Sequence, residues 1–479
     1  PEALRSVQLW VELEPDNMEA NNTLATLLVR QGRSLEALPH LAVVLEKGGD
    51  PKFPILLNNF ENLSPQQQSE LVGGLNGLAA DNPDNIQLAL TQALILAQYK
   101  QYGPAGDKLD TIFELEPYQH QAILLEAKLL IEQDDPKPFT RLEAALDKNP
   151  DDQRLRLQYA RLLAVNDLPA ARKQFETLSA QSPRDGDLLL SLALINREIG
   201  DDLEAKAYLR QLIALGQRTG EANYYLGRIA EDSGEERSAL YHYRQVEGGR
   251  EMLSAAQRGG LILLQENSLG EYSEWFAEWR GSHPRSSEQL YALESELLTQ
   301  AGQLDAAMDV LNAALENFPE SNTLRYARSM LGEQRDDLAL MESDLRNIIE
   351  RDPDNATALN ALGYTLANRT ERYDEAYELI VRALELQPDE PAILDSMGWI
   401  LYRKGDYTEA LDYLSRAYAV FPDPEVAAHL GEVLWVSGDT EGATRIWQGA
   451  LTKDPDHKVL VSTLKRLGVT DLVSPGKGH

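Results

Sequence analysis

Histidine and carboxylate side chains, the usual acids, bases and metal ligands of enzymes, are scattered through this chain without catalytic spacing. Its seven histidines contain no pair at zinc-ligand spacing, and the motif H-E-x-x-H is absent. The 77 Asp and Glu residues are spread so widely that pairing any two as acid and base would be arbitrary. The sequence has no Cys, which excludes disulfides, thiolate zinc sites and a cysteine nucleophile.

Two short stretches resemble binding loops but lack their decisive residues. GPAGDK at 103–108 does not have the G-x-x-x-x-G-K-[ST] spacing of a phosphate-binding loop and fits a turn between helices. DPDN at 352–355 starts like a calcium loop, but Ala356 occupies the fifth position and no Gly stands at the sixth, so it fits a helix cap. We therefore predict a non-enzyme without catalytic residues, a metal site or a cofactor.

The strongly negative net charge restricts the kinds of partner that the chain can bind. The chain has 45 Lys and Arg against 77 Asp and Glu, so the formal charge is 45 − 77 = −32. Such a chain repels nucleic-acid phosphates and anionic membrane surfaces, which predicts no nucleic-acid partner. Basic proteins or basic segments fit the charge, although it equally serves to keep a long, open surface in solution. No apolar run approaches the roughly 18 residues of a membrane span.

A period near 34 residues runs through the chain and is marked by prolines that end helices. The first series is spaced by 32–36 residues: Pro15, Pro51, Pro83, Pro117, Pro150 and Pro183. The second is spaced by 33–35 residues: Pro284, Pro319, Pro353, Pro388, Pro422 and Pro455. The gap of 101 residues between the series holds three units, so 440 residues contain thirteen units. Self-similarity at this period is the signature of a repeat architecture.

Each unit reads as a helical hairpin. A small residue stands midway along the first helix: Ala25, Ala160, Ala193, Gly227, Gly260, Gly363, Gly398, Gly431. Seven residues later a glycine often closes that helix, where a left-handed conformation is common: Gly32, Gly200, Gly234, Gly405, Gly438. Five residues further, alanine lies in the second helix: Ala37, Ala205, Ala239, Ala410, Ala443. Small residues at both places let the two helices approach closely.

This pattern resembles the tetratricopeptide repeat over essentially the whole chain. The resemblance implies an all-α fold, a right-handed superhelical solenoid of about thirteen hairpins whose first helices line the concave face. One hairpin cannot bury its apolar surface alone, so stability comes from stacking on neighbours. Within the degenerate unit 51–83, Ser64-Pro65-Gln66-Gln67 has the spacing of a capping box.

We divide the chain into three parts. Residues 1–216 form an N-terminal array, 217–284 are degenerate repeats, and 285–479 form a regular C-terminal array with a terminal capping helix. Residues 217–284 fit ordinary repeats that have drifted, with a looser joint as the alternative. The first residues match the second helix of a repeat, so we expect a fragment of a longer protein. Val7 and Trp10 would then face a missing helix and are candidate partner contacts.

First-helix side chains that face the groove decide specificity in such a stack. Over 356–436 these positions hold an unusual share of the aromatic residues, and Trp, Tyr and Arg dominate interface energies. The candidate partner-binding residues are Asn360, Tyr364, Trp399, Tyr402, Arg403 and Trp435. The alternative is that the rings pack between neighbouring first helices, which we favour for Trp435.

A longer block gives a more specific resemblance. Residues 359–466 contain LNALGYTLANRTERYDEAYELIVRALELQPDEPAILDSMGWILYRKGDYTEAL followed by FPDPEVAAHLGEVLW. This block is similar to the C-terminal repeats of LbcA-type outer-membrane lipoprotein adaptors. The resemblance implies a scaffold that binds a periplasmic carboxyl-terminal processing protease and presents protein substrates such as cell-wall hydrolases. It further implies a place on the periplasmic side of the outer membrane, with a lipid anchor upstream of this chain. Scaffolds for polysaccharide export or pilus biogenesis, and regulatory subunits of other enzymes, remain alternatives.

Overall fold

Twenty-seven α-helices and three short 3-10 helices, but no strand, occur among residues 2–469, which are the residues that the computed structural model describes. The chain divides into two units, Pro1–Ala222 and Asn223–His479. The predicted boundaries at 216 and 284 stay a prediction. The C-terminal segment SPGKGH lies outside the described residues.

Unit 1 consists of α-helices joined by short turns. In chain order they are α1 Glu2–Leu13, α2 Met18–Arg30, α3 Ser34–Glu46, α4 Pro65–Asp81, α5 Ile86–Gln98, α6 Tyr102–Leu115, α7 His120–Glu132, α8 Thr140–Lys148, α9 Gln153–Asn166, α10 Leu168–Gln181, α11 Gly186–Ile199 and α12 Asp202–Leu215. Two 3-10 helices precede α4, namely Phe53–Leu57 and Phe60–Asn62.

Unit 2 is built in the same way, and its first helix begins just before the division between the units. The helices are α13 Thr219–Asp232, α14 Glu236–Arg244, α15 Met252–Gln265, α16 Leu269–Ser282, α17 Ser287–Gln300, α18 Leu304–Asn317, α19 Asn322–Gln334, α20 Leu338–Arg351, α21 Ala356–Arg369, α22 Tyr373–Leu386, α23 Pro391–Lys404, α24 Tyr407–Val420, α25 Pro424–Val436, α26 Thr440–Lys453 and α27 Lys458–Leu467. A 3-10 helix, Pro284–Ser286, precedes α17.

Consecutive helices pair as antiparallel hairpins from α2 to α26, and the 3-10 segment before α4 stands where a first helix would be. Counted in that way, residues 2–469 contain thirteen hairpins. The predicted all-α class and its repeated hairpins are therefore confirmed. The predicted capping box is also present, since the Ser64 hydroxyl accepts from the Gln67 backbone N–H and the Gln67 side chain accepts from the Ser64 backbone N–H.

The small residues of the repeat explain how tightly the helices of a hairpin pack. A Cβ atom on Gly398 of α23 would lie 2.5 Å from the Leu414 side chain of α24, so any larger residue displaces that neighbour. On the facing helix Ala410 is completely buried. Gly405 between them has a φ of +96°, a left-handed conformation that glycine adopts without steric cost. The sequence pattern thus determines each hairpin locally.

One buried carboxyl group in unit 2 couples stability to pH. Glu294 of α17 is 1% exposed and forms an ion pair with Arg280 of α16. Burial raises the pKa of Glu294 to about 7, although Arg280 acts in the opposite direction. A charge taken out of water is destabilising unless its partner compensates it fully.

We expect unit 2 to lose stability as this carboxyl ionises. Because the pKa is raised in the folded state, the contribution of Glu294 is complete below about pH 4.3 and is lost as the pH rises to about 7. Between pH 5 and 7 the free energy of unfolding should therefore fall by on the order of 2 kcal/mol more in the native chain than in Glu294→Gln. Urea unfolding at the two pH values measures this difference. Parallel pH profiles for the two chains would contradict it.

Candidate functional site

A groove of about 560 Å³ lies in unit 2 and is lined mainly by first helices of four successive repeats, α19, α21, α23 and α25. We call it the α19–α25 groove. Its apolar and aromatic surface comes from nine side chains: Tyr326, Met330, Met341, Ala361, Tyr364, Pro391, Ala392, Phe421 and Val426. Backbone spacing explains the arrangement, because residues three or four apart on each helix share the face that is turned to the groove.

The groove is acidic. Five carboxylates line it: Glu333, Glu390, Asp395, Asp423 and Glu425. Within the described part of the chain, no lining residue of this groove is Lys or Arg. The pKa of Glu333 is raised above its ordinary value, mainly by burial. Arg369 lowers this pKa, and the Glu425 carboxylate raises it. The like charges of Glu333 and Glu425 therefore repel each other across the groove.

Tyr364 joins two helices that are not neighbours in the chain. It belongs to α21, yet its hydroxyl donates a hydrogen bond of 2.7 Å to Oε1 of Glu425 at the start of α25. The Tyr364 hydroxyl oxygen also lies 3.4 Å from Nε2 of His429. Burial and the Glu425 carboxylate raise the pKa of Tyr364, so the phenol keeps its proton and remains a donor. The contact draws together the first helices on either side of α23.

A buried ion pair lies at the base of the groove. Nδ1 of His429 lies 3.0 and 2.9 Å from the two carboxylate oxygens of Asp395, and the residues are 3% and 6% exposed. Burial lowers the pKa of His429, but the Asp395 carboxylate, helped by Glu425 and Glu432, raises it above its ordinary value. The Asp395 carboxylate thus favours the charged form of the imidazole. Sequence reasoning missed His429, because a lone histidine on an amphipathic helix carries no signal of its own.

Trp399 does not line the groove, and the expectation that it is exposed there is corrected. Its side chain is 6% exposed, and its ring stacks on His429 with the centroids 4.2 Å apart and the planes at 26°. The ring thus packs between α23 and α25, which was the alternative interpretation from the sequence. Trp399 contacts His429 and Tyr402 rather than the groove surface, and its share in binding stays a prediction.

Tyr402 and Arg403 lie outside the groove lining as well. The Tyr402 hydroxyl donates a hydrogen bond of 3.0 Å to Glu432, and burial together with that carboxylate raises the pKa of Tyr402 to about 12. Arg403 donates a hydrogen bond of 2.6 Å to the Tyr373 hydroxyl and also lies over its ring. Both side chains are half-buried and engaged by neighbouring repeats.

The other predicted partner-binding residues lie in three separate parts of the structure. Asn360 lines the groove beside Tyr364, and its buried Oδ1 has no hydrogen-bond partner among the described residues. Trp435 packs against Trp447 and borders a separate surface depression near Arg445. Val7 and Trp10 are half-buried on α1 in unit 1, where Val7 packs against the apolar cluster of α2 to α5.

Two searches of residues 2–469 bear on other kinds of site. No group of three or more His, Asp or Glu side chains in that range could hold a metal ion. No helix in that range is both long and apolar enough to span a bilayer. What the described residues of the groove offer is hydrogen-bond acceptors, negative charge and apolar surface.

Comparison with known proteins identifies the family of the repeats. Residues 354–423 and 396–457 match models of the tetratricopeptide repeat. The TPR repeat-containing protein PA4667 of Pseudomonas aeruginosa is 41% identical over 437 residues, which are 90% of this chain and 73% of that protein. The type IV pilus assembly protein PilF of the same organism is 24% identical over 139 residues, which are 28% of this chain and 55% of that protein.

A solved structure of a tetratricopeptide repeat protein from Parabacteroides merdae is 16% identical with a TM-score of 0.39, and the match covers 52% of this chain and 98% of that one. The similarity to PA4667, which is 41% identical and covers 90% of this chain and 73% of that protein, determines the family. With its thirteen hairpins and its groove of first helices, the chain belongs to the tetratricopeptide-repeat family.

Proposed function

We propose that this chain is a non-catalytic adaptor that binds a carboxyl-terminal processing protease and presents protein substrates, such as cell-wall hydrolases, to it. Tetratricopeptide repeats serve as protein-interaction scaffolds, so the general class follows from the family. The α19–α25 groove is the observation that supports a binding role most directly. It combines aromatic side chains with carboxylates on first helices, which is the surface an extended protein segment meets in a repeat stack.

The choice of partner rests on the block that starts at residue 359. That block is similar to the C-terminal repeats of outer-membrane lipoprotein adaptors, and the groove lies largely within it. In this proposal the chain works on the periplasmic side of the outer membrane through a lipid anchor upstream. A scaffold that holds protease and substrate together makes their encounter effectively intramolecular and raises the rate without a catalytic group of its own.

A second candidate function is envelope assembly, such as pilus biogenesis or polysaccharide export. The similarity to the type IV pilus assembly protein PilF favours it, although that match covers only 28% of this chain. The two candidates differ in the partner that the chain binds, so they can be separated by experiment.

Reconstitution tests the adaptor function. The purified chain is mixed with a carboxyl-terminal processing protease and a cell-wall hydrolase from the same organism, each below micromolar concentration. We expect a stable complex in size-exclusion chromatography and cleavage at least about tenfold faster than with the protease alone, because the effective concentration of substrate rises. The chain with substrate but without protease is the control and should show no cleavage. No complex with the protease, together with co-purification of pilus proteins, would favour the second candidate instead.

A further inference from the structure

Resting on the scaffold function proposed above, we propose that the α19–α25 groove binds an extended segment of a partner protein in which an arginine or lysine stands next to a large apolar residue. The cationic side chain lies among the carboxylates around Tyr364, and the apolar side chain covers Phe421. Three independent features of the groove support this ligand, namely its charge, its exposed apolar surface and an unsatisfied acceptor.

The carboxylates of the groove outnumber the positive groups beside them, since His429 beneath the groove pairs with Asp395 and Arg369 acts on Glu333 from outside the lining. Glu333 and Glu425 both line the groove, Glu425 accepts from Tyr364, and neither Lys nor Arg lines this groove in the described residues. Glu390, the N-cap residue of α23, is exposed, and its side chain makes no capping hydrogen bond. Such like charges on a partly dry surface are relieved when a ligand brings a cation between them, so the groove selects against acidic segments as well as for basic ones.

Apolar surface lies directly beside these carboxylates. Phe421 is 57% exposed, which is unusual for a phenylalanine, and it lines the groove together with Val426 and Pro391. Covering such a ring removes apolar area from water and contributes to binding in proportion to the area buried. A ligand with a cation alone would leave this ring exposed, so the groove requires a neighbouring apolar side chain.

The unsatisfied acceptor explains why the ligand is extended. Oδ1 of Asn360 is buried in the wall of the groove without a hydrogen-bond partner among the described residues. A buried acceptor is costly unless a donor reaches it. The backbone N–H groups of an extended segment are free to donate, whereas those in a helix are already engaged. Once the side chains that cover Oδ1 move aside, Asn360 accepts from the backbone, while the carboxylates and Phe421 select the side chains.

Binding of fluorescent decapeptides to the full chain tests this inference by anisotropy. Three flexible peptides share the same uncharged flanking residues and differ only at the centre, which is Leu-Arg, Leu-Gln or Ala-Arg. We expect the Leu-Arg peptide to bind about tenfold more tightly than either of the others at low salt. The advantage of arginine should shrink as salt is added, because screening weakens the charge interaction, and the advantage of leucine should not.

Matched variants locate the effect. Glu390→Gln with Glu425→Gln neutralises two groove carboxylates while it keeps an acceptor for Tyr364, and it should abolish the preference for arginine. Glu378→Gln with Glu409→Gln changes the net charge equally at exposed positions outside the groove lining and should leave the preference intact. Equal affinities for the Leu-Arg and Leu-Gln peptides, or equal losses in the two double variants, would overturn the inference.

The experiments can show that either proposal, the groove ligand or the adaptor function, is wrong while the other stands. If the groove variant still binds the protease and accelerates cleavage while the peptides show no preference, the adaptor function stands and this ligand is wrong. If the preference and its dependence on Glu390 and Glu425 are observed but no protease complex forms, the groove specificity stands and the proposed partner is wrong.

Discussion

Replacing Asp395 with alanine is expected to lower the free energy of unfolding of the repeats around α23 and α25 by about 3–5 kcal/mol at neutral pH. The reason is that His429 is 3% exposed and depends on the Asp395 carboxylate, whose oxygens lie 2.9 and 3.0 Å from Nδ1. Removing one member of a buried ion pair leaves the other charge without a partner. Urea unfolding, with amide hydrogen exchange to localise the loss to α23 and α25, measures the effect.

The same substitution should reverse the pH dependence of stability that comes from His429. In the native chain the pKa of His429 is raised, so its contribution is complete below about pH 6.5 and is lost as the pH rises through the raised value. Without Asp395, Glu425 and Glu432 remain near the ring, but burial is the larger effect and should lower the pKa of His429. The variant then loses stability as the pH falls below about 6.5.

His429→Gln is the matched control, because glutamine at this position does not titrate near neutral pH. The free energy of unfolding of this variant should therefore change less between pH 5.5 and 8 than that of the native chain or of Asp395→Ala. If the stability of the native chain and of Asp395→Ala changed with pH in the same direction, the pair of Asp395 and His429 would not control the pH dependence. The remaining groups around the ring are Tyr364, which stays protonated, and the stacked Trp399, which does not titrate.

Replacing Gly431 with valine is expected to destabilise the α25–α26 hairpin by about 3 kcal/mol, at the upper end for an overpacked core. A Cβ atom at this position would lie 2.1 Å from Nε1 of Trp447, whose side chain is completely buried. The indole has no space to move into while α25 and α26 remain packed, so the two helices must move apart to admit the valine. Thermal unfolding, followed by the fluorescence of the tryptophans, reports the change.

Gly449→Ala in the same hairpin is the control. Its Cβ would meet only the Tyr418 hydroxyl, at 3.9 Å, which is an ordinary contact. Since alanine favours the helix over glycine, this variant should gain about 0.5–1 kcal/mol. If both substitutions had the same small effect, the close approach of α25 and α26 at Gly431 would be wrong.

The sequence predicted the hairpins because their determinants are local. Each lies within one unit of about 34 residues: a left-handed glycine such as Gly405, a buried alanine such as Ala410 and a proline that ends the second helix. These residues act through backbone conformation and the contact of two adjacent helices, which sequence spacing describes well. The class of function followed from the same period, since a stack of such units serves as a binding scaffold.

Only the tertiary structure decided which first-helix side chains line the groove. Asn360 and Tyr364 do, whereas Trp399 stacks on His429 and is buried, although all three occupy first-helix positions. The hydrogen bond between Tyr364 and Glu425 joins residues 61 positions apart, with the α23–α24 hairpin between them in the chain. Its formation depends on the small rotation that each repeat adds to the last, and on the volume of the side chains between them. Spacing within one unit contains neither quantity, so the composition of the binding surface emerges only when the repeats are stacked.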